Sequence, residues 1–326
     1  MTLNLDIPWV EKYRPKTFDD IVSQNVAISN LKEFVKSGNM PHMIFTGPAG
    51  TGKTSTALII ARTLLGGDDY FRNVLELNAS DTVRMQYVRK ILKEFVNQNM
   101  ILDSKNLKIV ILDEADNIPS QVQQALRRII EKASTQVKFI LLCNYINKII
   151  DPIISRCAVF RFVRLPKDIV IKRLKFICKE ENLNIASSKS EEFFNTIYFI
   201  SRGDLRRAIN ILQSSVALEI IDNLDINEVL KISGFVDIDT LENLIKSLNE
   251  KNFEKSMKIL QDIENIDSRN FIRQVSEILS DLNIKSKDEV HIHKVLGEID
   301  YRISQGSDER IQIPVLISEI IQKITN

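Results

Sequence analysis

The stretch that decides the fold is Met43-Ile44-Phe45-Thr46-Gly47-Pro48-Ala49-Gly50-Thr51-Gly52-Lys53-Thr54. Its opening residues, Met43-Ile44-Phe45, are apolar and predict a buried strand. The part that follows, Gly47–Thr54, fills every fixed position of a phosphate-binding loop, in which backbone N–H groups wrap phosphate oxygens and the next helix directs its positive end at them. The alternative is a simple glycine turn between strand and helix, which would not need all these positions filled. The stretch therefore predicts a nucleotide phosphate site.

The side chains of this loop have expected parts in nucleotide binding. Lys53 would reach the β- and γ-phosphates, and the Thr54 hydroxyl would ligate Mg²⁺. The backbone N–H groups of the loop would supply the remaining contacts, so the expected cofactors are ATP and Mg²⁺. The residues expected to contact the nucleotide here are Gly47, Pro48, Ala49, Gly50, Thr51, Gly52, Lys53 and Thr54.

Two more apolar runs predict strands of the same sheet. Ile109–Leu112 and Phe139–Leu142 lack polar alternation, as expected of parallel strands covered on both faces. Helical stretches separate the strands, and one of them repeats its apolar residues on a single helix face. The residues of that face are Val122, Leu126, Ile129, Ile130 and Ala133. Strands that alternate with helices predict a doubly wound α/β core over residues 1–165.

After Pro166 the strand signal disappears. Residues 166–234 read as three or four short helices, and residues 235–326 are again helical. We therefore expect an α/β core, a small helical lid and an all-α third domain. Basic residues outnumber acidic ones before Pro166 and the reverse holds after it, which suits a polyanion-binding front part but also ordinary solvated charge.

Polar side chains follow two predicted strands at the sheet edge where open α/β sheets bind ligands. Asp113 and Glu114 come directly after one strand, and Asn144 closes the next. Asp113 would hold the Mg²⁺ shell, and Glu114 would orient and deprotonate the attacking water. Asn144 would position that water or sense the γ-phosphate, although an ordinary strand-ending turn asparagine has the same pattern.

A further candidate lies at the start of a predicted helix. Asp204 follows Gly203 as an expected N-cap, which places Arg206 in the first helical turn. The helix dipole disfavours a cation there, and a triphosphate facing Arg206 would offset that cost. A solvated arginine is the alternative. The apolar stripe of this helix is Leu205, Ile209, Leu212 and Val216.

Composition disfavours several other classes of protein. The cysteines, Cys143, Cys157 and Cys178, are odd in number and form no CxxC pair, which argues against a disulfide framework and a zinc module. No run approaches the roughly 18 apolar residues of a membrane helix, and the N-terminus lacks the layout of a secretory signal. We expect an intracellular protein, in the nucleus if its source is eukaryotic and otherwise in the cytoplasm.

Longer motifs recur along the chain. Pro8-Trp9-Val10-Glu11-Lys12-Tyr13-Arg14-Pro15 and Asp151-Pro152-Ile153-Ile154-Ser155-Arg156-Cys157 are distinctive, whereas many ATPases share the phosphate loop. With the others, they run from residue 8 to roughly residue 312 in the order typical of one family. The chain resembles the small subunits of replication factor C, which are AAA+ ATPases. The other matching motifs are Leu75–Asp81, Leu112–Asp116, Gln124–Arg128, Cys143-Asn144 and Gly203–Arg206, with a fainter match at Tyr301-Arg302, Gly306, Glu309 and Gln312.

The resemblance implies an ATPase that opens a ring-shaped sliding clamp and loads it on primer–template DNA. The implied partners are other clamp-loader subunits, large and small, in a pentamer, together with the sliding clamp and the DNA. The third, helical domain would be the oligomerisation collar. By the same resemblance Val10, Tyr13 and Arg14 would line the adenine pocket. Asn144 and Arg206 would be the first and second nucleotide sensors.

The resemblance also implies that Arg156 is an arginine finger, inserted into the ATP site of a neighbouring subunit. A cation supplied in trans would stabilise charge on the transferring phosphoryl group. The alternative is a structural turn arginine. If the finger role holds, hydrolysis depends on assembly.

DNA contacts are expected through phosphates, because loading is independent of base sequence. Arg84, Arg89 and Lys148 are the candidates, the first two on or beside a predicted helix from about Met85 to Val96; a merely solvated helix face is the alternative. After Asp81 the family usually continues Asp-Arg-Gly, whereas this chain reads Thr82-Val83-Arg84. The DNA contact at that point therefore cannot be carried over position by position.

Two other functions fit parts of the sequence. One is a structural subunit that binds nucleotide without hydrolysing it, and the complete set of motif residues argues against it. Another is a different AAA+ machine, such as a branch-migration helicase or an origin-binding initiator. An initiator would carry a winged-helix domain, and the helical block after Phe235 argues against one.

Overall fold

The computed structural model describes residues 7–79, 91–92, 94–96, 107–132, 137–183, 185, 189–263 and 267–324. The chain packs as two compact units. The first unit comprises Met1–Asn184 and Ser201–Asn210, and the second comprises Ile185–Ile200 and Ile211–Asn326. No helix in the described ranges is both long and apolar enough to cross a bilayer.

A parallel sheet forms the centre of the first unit. Its strands, in the order β2-β3-β4-β1-β5, are all paired in parallel, so their carboxyl ends meet at one edge. The α/β class predicted from the sequence is confirmed. The strands are β1 (His42–Thr46), β2 (Val74–Asn78), β3 (Lys108–Asp113), β4 (Val137–Cys143) and β5 (Cys157–Arg161).

The central strands are apolar because helices cover both faces of the sheet. On one face Phe45 packs in a cluster with Leu31 and Ile60, and on the other Phe139 packs with Ile130; all five are buried. The helices described in this unit are α1 (Trp9–Lys12), α2 (Asn25–Ser37), α3 (Lys53–Leu64), α4 (Asp68–Asn73), α5 (Ser120–Lys132), α6 (Asp151–Ile154) and α7 (Lys167–Glu180).

The predicted amphipathic helix after β3 is confirmed as α5. Leu126, Ile129 and Ile130 lie in the core, as their spacing indicates, whereas Ala133 lies outside the described residues. Most of the helix predicted from Met85 to Val96 also lies outside them.

The second unit is helical. Helix α8 (Ser190–Ser201) belongs to it as far as Ile200, and α9 (Leu205–Ala217) joins it from Ile211 onward. Aspartate side chains cap several of its helices by accepting backbone N–H groups, and Leu244, Phe271 and Ile317 lie in its fully buried core. The other helices described are α10 (Ile220–Asn223), α11 (Ile226–Ile232), α12 (Ile238–Asn249), α13 (Phe253–Gln261), α14 (Ser268–Ile278), α15 (Ser286–Ser304) and α16 (Glu309–Lys323).

Candidate active site

A cavity of about 220 Å³ opens at the carboxyl edge of the sheet in the first unit. This is the edge at which open α/β sheets bind ligands. The cavity is lined by the phosphate loop, by residues that follow β3 and β4, by the segment before α2 and by the start of α9. Its lining residues are Val10, Tyr13, Arg14, Pro15, Asp20, Ile21, Val22, Ala49, Gly50, Thr51, Gly52, Lys53, Thr54, Ser55, Asp113, Glu114, Asn144, Leu165, Arg173, Leu205, Arg206 and Ile209.

The phosphate loop needs glycine at two positions because residues from later segments of the chain pack directly against it. Gly47 has φ +145, and a Cβ there would lie 2.9 Å from the carbonyl carbon of Phe162. Gly50 has φ +68, and a Cβ there would overlap the Asp204 carboxylate. The Leu205 N–H also donates to the Gly50 carbonyl at 3.2 Å. The loop is therefore fastened to the start of α9.

Lys53 is the first residue of α3, and its ammonium group lies inside the loop. Its Nζ donates to the carbonyls of Gly47 at 2.6 Å and Pro48 at 2.8 Å, and to Asn144 Oδ1 at 3.1 Å. Burial lowers the pKa of Lys53, and the Asp113 charge opposes that shift. These three acceptors are neutral, so the charge of Lys53 remains available to an anion in the cavity.

Side-chain oxygen atoms that could ligate a metal lie together beside Lys53. The Thr54 hydroxyl donates to Asp113 Oδ2 at 3.0 Å, and the Glu114 N–H donates to Asp113 Oδ1 at 2.8 Å. A hydroxyl and a carboxylate are the hard oxygen ligands that Mg²⁺ prefers, so this pair fits the predicted metal. Glu114 has a left-handed backbone, with φ 54, and its Oε2 accepts from Asn117 Nδ2 at 3.2 Å. That bond holds the carboxylate of the predicted general base.

Asp116 belongs to this site, although the sequence reasoning assigned it no role. Its Oδ2 accepts from the N–H groups of Asn144 and Tyr145, both at 3.2 Å, and so joins the turn after β3 to the end of β4. The residue is only 8% exposed. Its other carboxylate oxygen, Oδ1, is buried with no hydrogen-bond partner among the described residues. The position of Asn144 therefore depends on a buried carboxyl group.

Another wall of the cavity is formed by α1 and the segment that follows it. Val10, Tyr13 and Arg14 all line the cavity, as the resemblance implies for an adenine pocket. The Tyr13 hydroxyl donates to Glu181 Oε1 at 2.6 Å, and burial, followed by this bond, raises the pKa of Tyr13 above its ordinary range. Arg173 Nη2, from α7, donates to the Tyr13 carbonyl at 2.9 Å. The roles of Arg173 and Glu181 were not predicted from the sequence.

Arg206 lies where the sequence reasoning expected it, in the first turn of α9 and on the cavity wall. The predicted cap is present, because the Arg207 N–H donates to Asp204 Oδ1 at 3.0 Å. Ile209 and Leu212 of the predicted apolar stripe are buried. A cation therefore stands at the positive end of a helix and beside the phosphate loop.

Arg156 lies elsewhere in the first unit. It directly precedes β5, whereas the cavity lies at the carboxyl ends of the strands, where Phe162 meets Gly47. Phe162 follows Arg156 by six residue steps of nearly extended chain, a distance of about 20 Å. Its guanidinium pairs with Glu131 Oε1 at 2.7 Å and donates to the Pro152 carbonyl at 2.7 Å. Arg156 is not among the residues that line the cavity.

Of the candidate DNA contacts, Arg84 and Arg89 lie outside the described residues. Lys148 is exposed, and its Nζ lies 5.3 Å from the centre of the Tyr145 ring. The turn that carries it is fastened by the buried side chain of Gln123, whose Nε2 donates to the Lys148 carbonyl at 2.8 Å and whose Oε1 accepts from the Ile150 N–H at 2.9 Å.

Comparison with known protein families accounts for most of the chain. Residues 43–165 match the ATPase family associated with various cellular activities, AAA. Residues 172–217 match the RCF1/5-like AAA+ ATPase lid domain, and residues 236–319 match the replication factor C C-terminal domain.

Curated relatives extend the match over nearly the full length. The chain is 42% identical over 316 residues to replication factor C small subunit 1 of Pyrobaculum islandicum, covering 96% of this chain and 93% of the relative. It is 40% identical over 320 residues to the replication factor C small subunit of Staphylothermus marinus, covering 97% and 94%. The Archaeoglobus fulgidus replication factor C small subunit is 38% identical over 313 residues, covering 95% and 96%.

Among solved structures, the Thermotoga maritima RuvB Holliday junction branch migration motor superposes with a TM-score of 0.55. The match covers 73% of this chain and 80% of that one at 19% identity, which supports the AAA+ fold alone. The family models and the relatives confirm the family that the motifs predict. The chain belongs to the replication factor C small-subunit family and is an AAA+ ATPase of the clamp-loader class.

Proposed function

We propose that this chain binds ATP with Mg²⁺ in the cavity, and that hydrolysis requires Arg156 from a neighbouring subunit. One observation carries the proposal. The phosphate loop, Asp113, Glu114 and Asn144 converge on a single cavity, whereas Arg156 stands at the opposite end of β5. An arginine that is about 20 Å from its own loop can complete an ATP site only in another subunit.

Each side chain then has a defined part in the reaction. Lys53 Nζ exchanges its carbonyl partners for β- and γ-phosphate oxygens. Glu114, held by Asn117 through Oε2, accepts a proton from the attacking water at its other carboxylate oxygen. Asn144 orients that water, and Arg206 contacts the γ-phosphate. Thr54 and Asp113 would hold Mg²⁺, which would supply neutralisation of charge on the phosphates.

The wider function follows from the family. The ATP-bound chain assembles with large and small loader subunits into a pentamer, opens a sliding clamp and places it on primer–template DNA. Residues 1–165 act as the nucleotide-binding core, residues 166–234 as the lid and residues 235–326 as the oligomerisation collar. Lys148, Arg84 and Arg89 contact DNA phosphates. The protein acts inside the cell, in the nucleus of a eukaryote or the cytoplasm of another organism.

Lys53→Ala tests the cavity. The variant should lose measurable ATP binding, because no other group on the loop supplies a buried cation to the phosphates. Filter binding or isothermal titration calorimetry measures the affinity. Lys36→Ala, which removes an exposed lysine from α2, is the matched control and should bind ATP normally. Retained affinity in Lys53→Ala would refute the assignment of the loop.

Arg156→Ala tests the supply of a cation in trans. ATP affinity should be unchanged, while hydrolysis stimulated by clamp and primed DNA in the assembled complex should fall by roughly 10³-fold. Arg161→Ala, which also removes an exposed arginine but at the other end of β5, is the control. Normal stimulated turnover in the Arg156 variant would remove the trans role.

A further inference from the structure

Arg156 does not stand alone on its surface. Glu131, in the last turn of α5, accepts from Arg156 Nη2 at 2.7 Å through its Oε1 oxygen. The same oxygen accepts from Arg127 Nε, one turn earlier on the helix, at 2.8 Å. Two arginines from different segments thus share one carboxylate, and one of them is the proposed finger.

The contacts of Arg156 fix the plane of its guanidinium. Its Nη1 donates to the Pro152 carbonyl at 2.7 Å and to the Ser155 hydroxyl at 3.3 Å, while Nη2 contacts Glu131. Among the described residues, these bonds and the one to Glu131 use three of the five N–H donors of the group. The remaining donors can face a phosphate, so the bonds hold the guanidinium without exhausting it.

The charge balance of the cluster also suits a cation that must act outside its own subunit. Arg127 already shares the Glu131 carboxylate, and that bond is the leading cause that lowers the pKa of Glu131. The cluster of Arg127, Glu131 and Arg156 therefore keeps a net positive charge. Glu131 can orient Arg156 without cancelling its field at a γ-phosphate.

The side chains of Arg156 and Glu131 are 38% and 31% exposed. Ion pairs this exposed contribute little to the stability of a fold. A long arginine side chain has many rotamers, however, and holding it in one of them removes an entropic cost from the step in which it meets its target. The contact therefore matters more for the orientation of Arg156 than for folding.

We propose that Glu131 is a positioning residue for catalysis, which holds Arg156 ready to enter the nucleotide site of a neighbouring subunit. The inference rests on the proposed trans role of Arg156 and assigns that role a supporting residue. Glu131 acts through Arg156 alone and touches neither the nucleotide nor the water.

The test compares Glu131→Ala, Glu131→Gln, Arg156→Ala and the double variant Glu131→Ala/Arg156→Ala in the assembled complex with clamp and primed DNA. Glu131→Ala should lower kcat about tenfold and leave the KM for ATP within about twofold. Glu131→Gln keeps an oxygen acceptor and should recover most of the turnover. Lys132→Ala, at the next, exposed position of α5, is the control for surface charge.

The double variant gives the decisive readout. If Glu131 acts through Arg156, its removal should cause no further loss in the Arg156→Ala background. Additive losses would overturn the inference, as would a Glu131→Ala complex that turns over at the wild-type rate or faster. Sedimentation velocity checks assembly, and a Glu131→Ala complex that fails to assemble would also overturn it, because the residue would then serve subunit contact.

The same set separates this inference from the function on which it rests. Wild-type rates of clamp- and DNA-stimulated ATP hydrolysis in Arg156→Ala would refute the trans role itself. A slow Arg156→Ala complex beside a fully active Glu131→Ala complex would remove only the role given to Glu131.

Discussion

Replacing Gly50 with alanine should destabilise the first unit more than the same replacement of Gly38. Both glycines have φ +68, so both changes force alanine into the same left-handed backbone, at about 1–2 kcal/mol. A Cβ at Gly38 meets nothing within 4 Å. A Cβ at Gly50 overlaps the Asp204 carboxylate and lies 3.0 Å from the Leu205 nitrogen. Gly38→Ala therefore measures the backbone cost, and Gly50→Ala adds the steric cost.

The added cost can be worked from the role of Asp204. To make room, its carboxylate must leave the Arg207 N–H that it caps at 3.0 Å, and loss of an N-cap costs about 0.5–2 kcal/mol. The total for Gly50→Ala is then roughly 1.5–4 kcal/mol. At about 2–4 °C per kcal/mol for a domain of this size, its Tm should lie several degrees below that of Gly38→Ala.

Differential scanning calorimetry of the two variants measures this difference, and ATP titration should show weaker binding for Gly50→Ala alone. A second change checks the mechanism. Asp204→Ala removes the overlapping carboxylate, so it should cost less stability in the Gly50→Ala background than in the wild type. Equal Tm values for Gly50→Ala and Gly38→Ala would refute the steric reasoning.

Asp116→Ala should slow hydrolysis more than it weakens ATP binding, because the N–H groups of Asn144 and Tyr145 lose their shared acceptor. Asp116→Asn keeps one oxygen acceptor and should have a smaller effect. Measurements of kcat and of the Kd for ATP in both variants check this. Equal effects on kcat and Kd would contradict it. Tyr13→Phe should lower stability near neutral pH by about 1 kcal/mol through loss of the bond to Glu181, as measured by urea unfolding. Because folding raises the pKa of Tyr13, its contribution is complete below the ordinary pKa near 10 and is lost as pH rises beyond it, so the two proteins should converge in strongly alkaline solution.

The central strands were predictable because they are buried on both faces. Ile109–Leu112 and Phe139–Leu142 are continuous apolar runs, and they fall inside β3 and β4. The edge strands β2 and β5 were not identified as strands. β2 is only partly covered, and its alternating run Leu75-Glu76-Leu77-Asn78 has only the four-residue minimum length of a strand signal. Their place in the sheet comes from pairing with distant partners.

The site divides in the same way. Lys53, Thr54 and Asp113 could be assigned because the chemistry of a phosphate loop and a strand end depends on local spacing. Asp116, Arg173 and Glu131 could not, since each acts on a residue far away in the chain: Asn144, Tyr13 and Arg156. Sequence spacing does not record such contacts. Only Asp116 left a local signal, because it lies within the acidic motif that contains Asp113.

The separation of the cavity and Arg156 along β5 places the nucleotide cavity at one end of the strand and the proposed finger at the other. If Arg156 acts in trans, as proposed, contacts between such chains are head-to-tail, and the same geometry repeats from one contact to the next. In an arc of n chains that does not close, only n − 1 cavities would receive Arg156 from a neighbour. On that proposal the terminal chain would hold its nucleotide in a site without a neighbour's Arg156, and the gap in the arc would set how many ATP molecules can be hydrolysed in one cycle.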